Sequence, residues 1–193
     1  MPRSKQKSRE SILNAVESVL RKRGAHNTTM DTVATAAGCA KGLVHYHFET
    51  KQKLLVEAAT RIARARETAW REAFDTPDPQ EVVDRTWALI RKEADSGTLR
   101  AWSSLVALAD PKVDQAASMA AGRLRDLMGE GTARLLETTG VEASVPTREM
   151  GWLLAAVVHG MSFQAAAGAD LDVLENAYAA AWLGLLSLTT QRD

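Results

Sequence analysis

A chain of 193 residues with 24 Lys/Arg and 24 Asp/Glu is long enough for one large domain or for a small one joined to a medium one. Hydrophobic residues make up 46% of it, aromatics only 5%, and the single cysteine, Cys39, excludes an intrachain disulfide and a multi-cysteine zinc site. The charged N-terminus lacks the apolar core of a signal peptide, and the most apolar stretch, 152–168, is interrupted by His159, Ser162 and Gln164, short of the roughly 20 apolar residues of a spanning helix; a cytoplasmic protein without membrane contact is expected.

The zero net charge conceals a split. Residues 1–55 hold ten Lys/Arg against Glu10, Glu17, Asp31 and Glu49, a net of +6, so the remainder carries −6. A basic front on an acidic body is the footprint of nucleic-acid binding attached to something else, although a solvated charged face accounts for charge taken alone. Ala, Leu, Arg and Glu dominate, and no alternating segment bounded by turn signals stands out, so the expected class is all-α.

Taken in order, residues 1–7 read as a basic, mobile arm suited to phosphate contacts. The first helix is expected near Ser8, with Ile12, Leu13, Val16, Val19 and Leu20 as its buried stripe. Arg21-Lys22-Arg23-Gly24 ends it, cations meeting the negative end of the helix dipole and Gly24 taking a left-handed cap. Thr29 caps a second helix that has Asp31 in its first turn and Val33, Ala34 and Ala37 facing inward. Gly38 breaks that helix and Cys39 tucks under the turn as a small apolar residue. A short third helix, Lys41 to His47, precedes a turn at Glu49 and Thr50. Helix, tight Gly-containing turn and short helix form a helix-turn-helix. The stretch KGLVHYHFETKQK (41–53) gathers two histidines, a tyrosine and three lysines; burying it would strand several polar groups, so it faces a partner outside the chain.

A long helix is expected from Lys51 to about Phe74, a lever leading out of this domain, then a linker at Asp75-Thr-Pro-Asp-Pro. Asp78, Pro79 and Glu81 supply N-cap, N1 and N3 of the next helix, which stops near Gly97. Leu99 to Ala109 is a short helix. Asp110-Pro111 starts a long one able to bend at Gly129 or Gly131. The last two helices, Thr147 to Ala167 and Leu171 to about Thr190 behind Asp170, carry more apolar circumference than one core contact requires.

The run Thr29-Met-Asp-Thr-Val-Ala-Thr-Ala-Ala-Gly38, followed by Lys41-Gly-Leu-Val-His-Tyr-His-Phe-Glu-Thr-Lys51, resembles the DNA-binding domain of TetR-family transcriptional repressors, without a gap over residues 8–55. The resemblance implies a helix-turn-helix DNA-binding domain over 1–55 and a helical effector-binding and dimerisation domain over 56–193. It assigns DNA contact to Thr29, Lys41, Gly42, Leu43, His45, Tyr46, His47 and Lys51. The last two helices would form a four-helix dimer interface through Leu153, Ala156, Val157, Gly160, Leu174, Ala177, Tyr178, Ala181, Trp182 and Leu185; the alternative is a buried hairpin within one chain. Trp70, Phe74, Trp87, Trp102, Leu105, Met119, Met128, His159, Phe163 and Gln164 come from helices that line the family's effector cavity, and they suit an ordinary core equally well. The implied function is a homodimeric repressor, released from a pseudo-palindromic double-stranded operator by a small-molecule effector. Two departures stand out: Ala40 replaces a common capping serine, and Leu43 a threonine that helps contact the site.

Other chemistry has little support. His45 and His47 are about 200° apart on a helix, so they do not share a metal. There is no Gly-rich phosphate loop and no His-Glu-x-x-His. Gly160-Met-Ser162-Phe-Gln164 lacks the second glycine and the preceding strand of a nucleophile elbow. Neither catalysis nor a cofactor is expected, and Cys39 reads as a structural thiol. The rival classes are an enzyme or carrier on a helical scaffold, and a regulator that activates or responds to no ligand.

Overall fold

The computed structural model describes the backbone of residues 2–191 and the side chains of residue 6 and residues 8–190. The elements, in chain order, are α1 (Pro2–Arg23), α2 (Met30–Ala37), α3 (Lys41–Phe48), α4 (Lys51–Ala73), α5 (Pro79–Asp95), α6 (Thr98–Val106), α7 (Pro111–Thr139), β1 (Val141–Ala143), α8 (Thr147–Ala166), α9 (Leu171–Leu186) and β2 (Thr189–Gln191). The class is all-α, and among the described residues no helix is long and apolar enough to cross a membrane.

Two expectations at the chain ends are corrected. The first helix starts at Pro2 rather than near Ser8, so the segment expected as a mobile arm continues the helix. Proline is tolerated in a first turn, and Ser-Lys-Gln-Lys contains nothing that breaks a helix. The side chains of Arg3, Lys5 and Lys7 lie outside the described residues. The final helix stops at Leu186 rather than running to Thr190, because Thr189–Gln191 pairs antiparallel with Val141–Ala143. Val141, Ala143 and Val145 do alternate with Glu142 and Ser144, but three-residue strands are too short to rise above a helical background.

The chain forms two compact units, Met1–Arg64 with Ser96–Ala120, and Ala65–Asp95 with Ala121–Asp193. The first is therefore discontinuous and larger than the 1–55 segment. Its core joins the stripe of α1 to Val33 and Ala34 of α2, Val44 and Phe48 of α3, and Leu54, Leu55 and Ala58 of α4. Ala101, Leu105 and Val113 complete it. Two glycines admit α6 so closely. Gly97, at φ +75°, would place a Cβ 2.8 Å from the Arg21 carbonyl oxygen, and Gly24, at φ +72°, would place one 3.2 Å from Ser104 Cβ. The Ala25 amide donates to Ser104 Oγ across the same contact. Asp110 caps α7 by accepting from the Lys112 and Val113 amides and also receives Gln52 Nε2 at 2.9 Å, which ties the start of α7 to the start of α4. The Gln52 hydrogen bond, followed by the Val113 amide, holds the Asp110 carboxyl below the usual carboxylate range.

In the second unit Trp70, Phe74, Trp87, Met128, Leu154 and Tyr178 are core residues. α7 is one helix past Gly129 and Gly131, and those glycines serve packing. A Cβ on Gly131 would sit 2.6 Å from the Phe74 ring, and one on Gly151 would sit 2.8 Å from Gly129 Cα. Tyr178 donates to Thr86 Oγ1 at 2.8 Å, and Thr86 donates to the Val82 carbonyl, so these two buried hydroxyls are satisfied.

Candidate nucleic-acid interface

The candidate face is built on two short helices and a tight turn. At α2, Thr29 Oγ1 accepts from the Thr32 amide at 3.1 Å while Thr32 Oγ1 accepts from the Thr29 amide at 2.9 Å, a reciprocal cap that fixes the start of the helix. Gly38 at φ +63° closes it with its amide on the Ala34 and Thr35 carbonyls, a left-handed position that glycine occupies without a steric penalty. Cys39 is half-buried in the turn and packs against the first unit's core.

Lys41–Phe48 follows, and Ala40 holds cap geometry (φ −69°, ψ 141°) with no side-chain hydrogen bond. Val44 and Phe48, four apart, are buried. That anchoring turns Lys41, Gly42, His45 and Tyr46 outward: all four are exposed, Tyr46 at 64%. Gly42 has open space where a Cβ would stand. Leu43 is half-buried against the core, leaving only part of its side chain for a partner. His47 is half-buried, its ring between those of Tyr46 (5.2 Å) and Phe48 (6.2 Å). Thr29 is exposed, and Lys51 reaches the His26 carbonyl at 3.4 Å from the first position of α4. Because Ala40 already has the backbone of a cap residue, Ala40→Ser should raise stability by about 1 kcal/mol in chemical denaturation. An unchanged midpoint would show that α3 needs no cap.

Sequence reasoning missed how the acids of this region are used. Asp31 accepts from Lys41 Nζ at 2.9 Å, Glu49 pairs with Lys53, Glu10 and Glu17 both pair with Arg61, and Glu57 pairs with Arg9. Glu49–Lys53 and the further pair Glu17–Arg21, both at i,i+4, carry a signal in the sequence. Glu49 also stands at φ +59°, ψ −55°, a positive-φ backbone uncommon for a residue with a side chain.

The other candidates are dispersed. Of the expected effector residues, Trp70, Phe74, Trp87 and Met128 are core of the second unit. Leu105 and Trp102 belong to the first unit, where Met119 is exposed. His159, Phe163 and Gln164 are exposed on α8. The His159 residue reaches solvent, but partial desolvation of its ring against neighbouring side chains, then the Arg66 guanidinium, holds it below its usual pKa. Of the expected interface residues, Leu174, Tyr178, Trp182 and Leu185 are buried on the inner stripe of α9. Leu153, Ala156, Gly160 and Ala177 do face outward, while Val157 and Ala181 are half-buried. The outward apolar residues that the sequence did not single out are Trp152, Val173, Leu183 and Leu186. Periodicity alone assigns a stripe to each helix but does not say which of two apolar stripes is the inner one. Among the described residues no group of three or more His, Cys, Asp or Glu could hold a metal ion.

Residues 12–58 match the sequence profile of the family described as bacterial regulatory proteins, tetR family. A curated relative, the HTH-type transcriptional repressor BepR of Brucella suis biovar 1 (strain 1330), is 31% identical over 81 residues, 41% of this chain and 39% of that one. The chain thus matches about two fifths of the length of this relative. Solved structures share the fold over nearly the whole chain. A TetR transcription regulator from Haloarcula marismortui ATCC 43049 superposes with a TM-score of 0.79 at 18% identity, covering 96% of this chain and 100% of that one. The SmeT–triclosan complex does so with a TM-score of 0.75 at 16% identity, covering 96% and 92%.

Proposed function

We propose that the chain is a member of the TetR family of bacterial regulatory proteins, a reading supported by the match over residues 12–58 and by the 31% identity to BepR over 81 residues, and that it is a homodimeric transcriptional repressor, released from a pseudo-palindromic operator by a small-molecule effector. The observation that carries DNA binding is α3: a short helix anchored by Val44 and Phe48, presenting Lys41, His45 and Tyr46 to solvent beside an uncovered Gly42. Such a helix fits a major groove, with two copies about 34 Å apart reading successive grooves. Thr29, Lys51 and the helix N-termini they stand at suit phosphate oxygens.

In this reading residues 1–55 read DNA, in the cytoplasm, and residues 56–193 bind the effector and the second copy. Dimerisation is supported by the outer faces of α8 and α9, which expose large apolar side chains in two neighbouring helices. The effector is supported by SmeT, whose structure contains triclosan. An effector that binds the non-operator conformation ~100-fold better supplies about 2.7 kcal/mol of coupling.

The test is a binding series on duplexes selected from a random pool. Lys51→Ala should weaken binding to selected and scrambled duplexes alike and reduce the salt slope by about 0.9. Tyr46→Ala should instead cost about 1–3 kcal/mol of discrimination between the two. Unchanged affinities for both variants would contradict the assigned face, and a wild-type protein that binds no duplex would favour an enzyme or carrier.

A further inference from the structure

The first turns of α2 and α3 meet through one pair of exposed charges. Lys41 Nζ donates to Asp31 Oδ2 at 2.9 Å, and both side chains are more than half exposed, at 53% and 66%. A pair so open to water contributes little to folding. It nevertheless puts a carboxylate on the face turned toward DNA and restrains the cation at the first position of the reading helix. Glu49–Lys53 is different, since it joins the turn before α4 to α4 itself at i,i+4.

We propose that Asp31 is a positioning residue that sets sequence selectivity, holding the Lys41 ammonium at the N-terminal turn of α3 and away from the phosphates that every sequence offers. The proposal rests on the DNA-binding reading above. Lysine is a compact charge on a flexible four-carbon stem with three rotatable donors. Released from Asp31, it would swing to the nearest phosphate, displace a counterion and add affinity without sequence information. Held by Asp31, it keeps two donors free, enough to meet the O6 and N7 acceptors of a guanine edge. The Asp31 charge also repels phosphates placed close to it, so a backbone approach without a matching base edge gains less. Ala40 strengthens the case: α3 begins without a side-chain cap, and this ion pair ties its first residue to α2.

The experiment measures affinity for a duplex selected by the wild-type protein and for a scrambled duplex of equal length and composition, across about 50–200 mM salt. Wild type, Asp31→Asn, Lys41→Ala and the double variant are compared. Asp31→Asn should bind the scrambled duplex about threefold to tenfold tighter, with a salt slope steeper by about 0.9, and the selected duplex with little change. Their ratio therefore falls, and in the Lys41→Ala background the same substitution leaves the ratio where it was. Equal tightening on both duplexes would overturn the proposal, because a bare repulsive charge acts without regard to sequence. So would an unchanged ratio, or an equal fall in the ratio without Lys41. A wild-type protein that binds no duplex overturns the DNA-binding reading itself, a result distinct from these.

Discussion

A protein carrying Phe163→Glu and Leu183→Glu together is expected to sediment as a monomer and to lose at least ~100-fold of its affinity for a two-half-site operator. The reasoning starts from which side chains each helix leaves outside. α8 spends Met150, Gly151, Leu154, Ala155, Val158 and Ser162 on the interior, and α9 spends Leu174, Tyr178, Trp182 and Leu185. What remains outward is still apolar: Trp152 at 52%, Leu153 at 44% and Phe163 at 70% on one helix, Val173 at 64%, Leu183 at 70% and Leu186 at 42% on the other. Trp152 has a charged neighbour over its ring, the Arg125 guanidinium at 3.9 Å. Single exposed apolar residues need no explanation, but a two-helix set of them marks an interaction surface. In a two-fold interface each substitution appears twice, so two changes introduce four carboxylates into one contact. The affinity loss follows because a dimer's second half-site binds at an effective concentration set by the first, and a monomer forfeits that gain. Phe163 and Leu183 lie outside the core, so the melting of the monomer should be preserved. A wild-type protein that is already monomeric, or a variant with undiminished operator affinity, would refute the proposed interface.

Glu93→Leu is expected to cost about 3–5 kcal/mol of stability. Arg66 Nε donates to Glu93 Oε1 at 2.8 Å, with side-chain exposures of 5% and 6%, inside the second unit. A guanidinium does not deprotonate in response to burial, so deleting its carboxylate leaves a desolvated charge that the fold must carry. The informative control is Arg66→Met with Glu93→Leu, which removes both charges at similar volume and should return stability to near wild type or above it. Urea unfolding of the three variants is the measurement. If the double variant is as unstable as the single one, the pair's value lies in packing rather than charge. The same guanidinium acts on His159, and in the double variant the ring should titrate closer to its usual range. Burial, the larger cause of its lowered pKa, would persist. The sign is set by that depression: His159 favours the neutral form in the folded protein, so its contribution is intact above about pH 6.5 and is lost as pH falls through the folded value.

What could be read from residues in order was the helix-turn-helix and its surroundings. Thr29, Gly38 and the spacing of Val44 and Phe48 act through hydrogen bonds and contacts only a few residues long, and those interactions carry the same information in the sequence as in the fold. Asp110 and Asp170 were legible for the same reason, each accepting from amides two and three residues ahead. The candidate pocket was not legible. Trp70, Trp102 and Phe163 occupy similar helical positions by periodicity, yet one is core of the second unit, one belongs to the first, and one is exposed.

The short helix α3, uncapped at Ala40 and anchored by Val44 and Phe48, was thus legible in the sequence alone, because caps, turns and a four-residue stripe are local. Three things waited for the tertiary structure. The grouping of Ser96–Ala120 with the N-terminal helices depends on two glycines meeting residues more than seventy positions away. The choice of inner stripe on α9 depends on what lies opposite, since both of its faces are apolar. The carboxylate beside Lys41 comes from a different helix, ten residues earlier, and no period in the chain links the two. Each is an approach between segments, and its energy depends on distances that composition and periodicity do not contain.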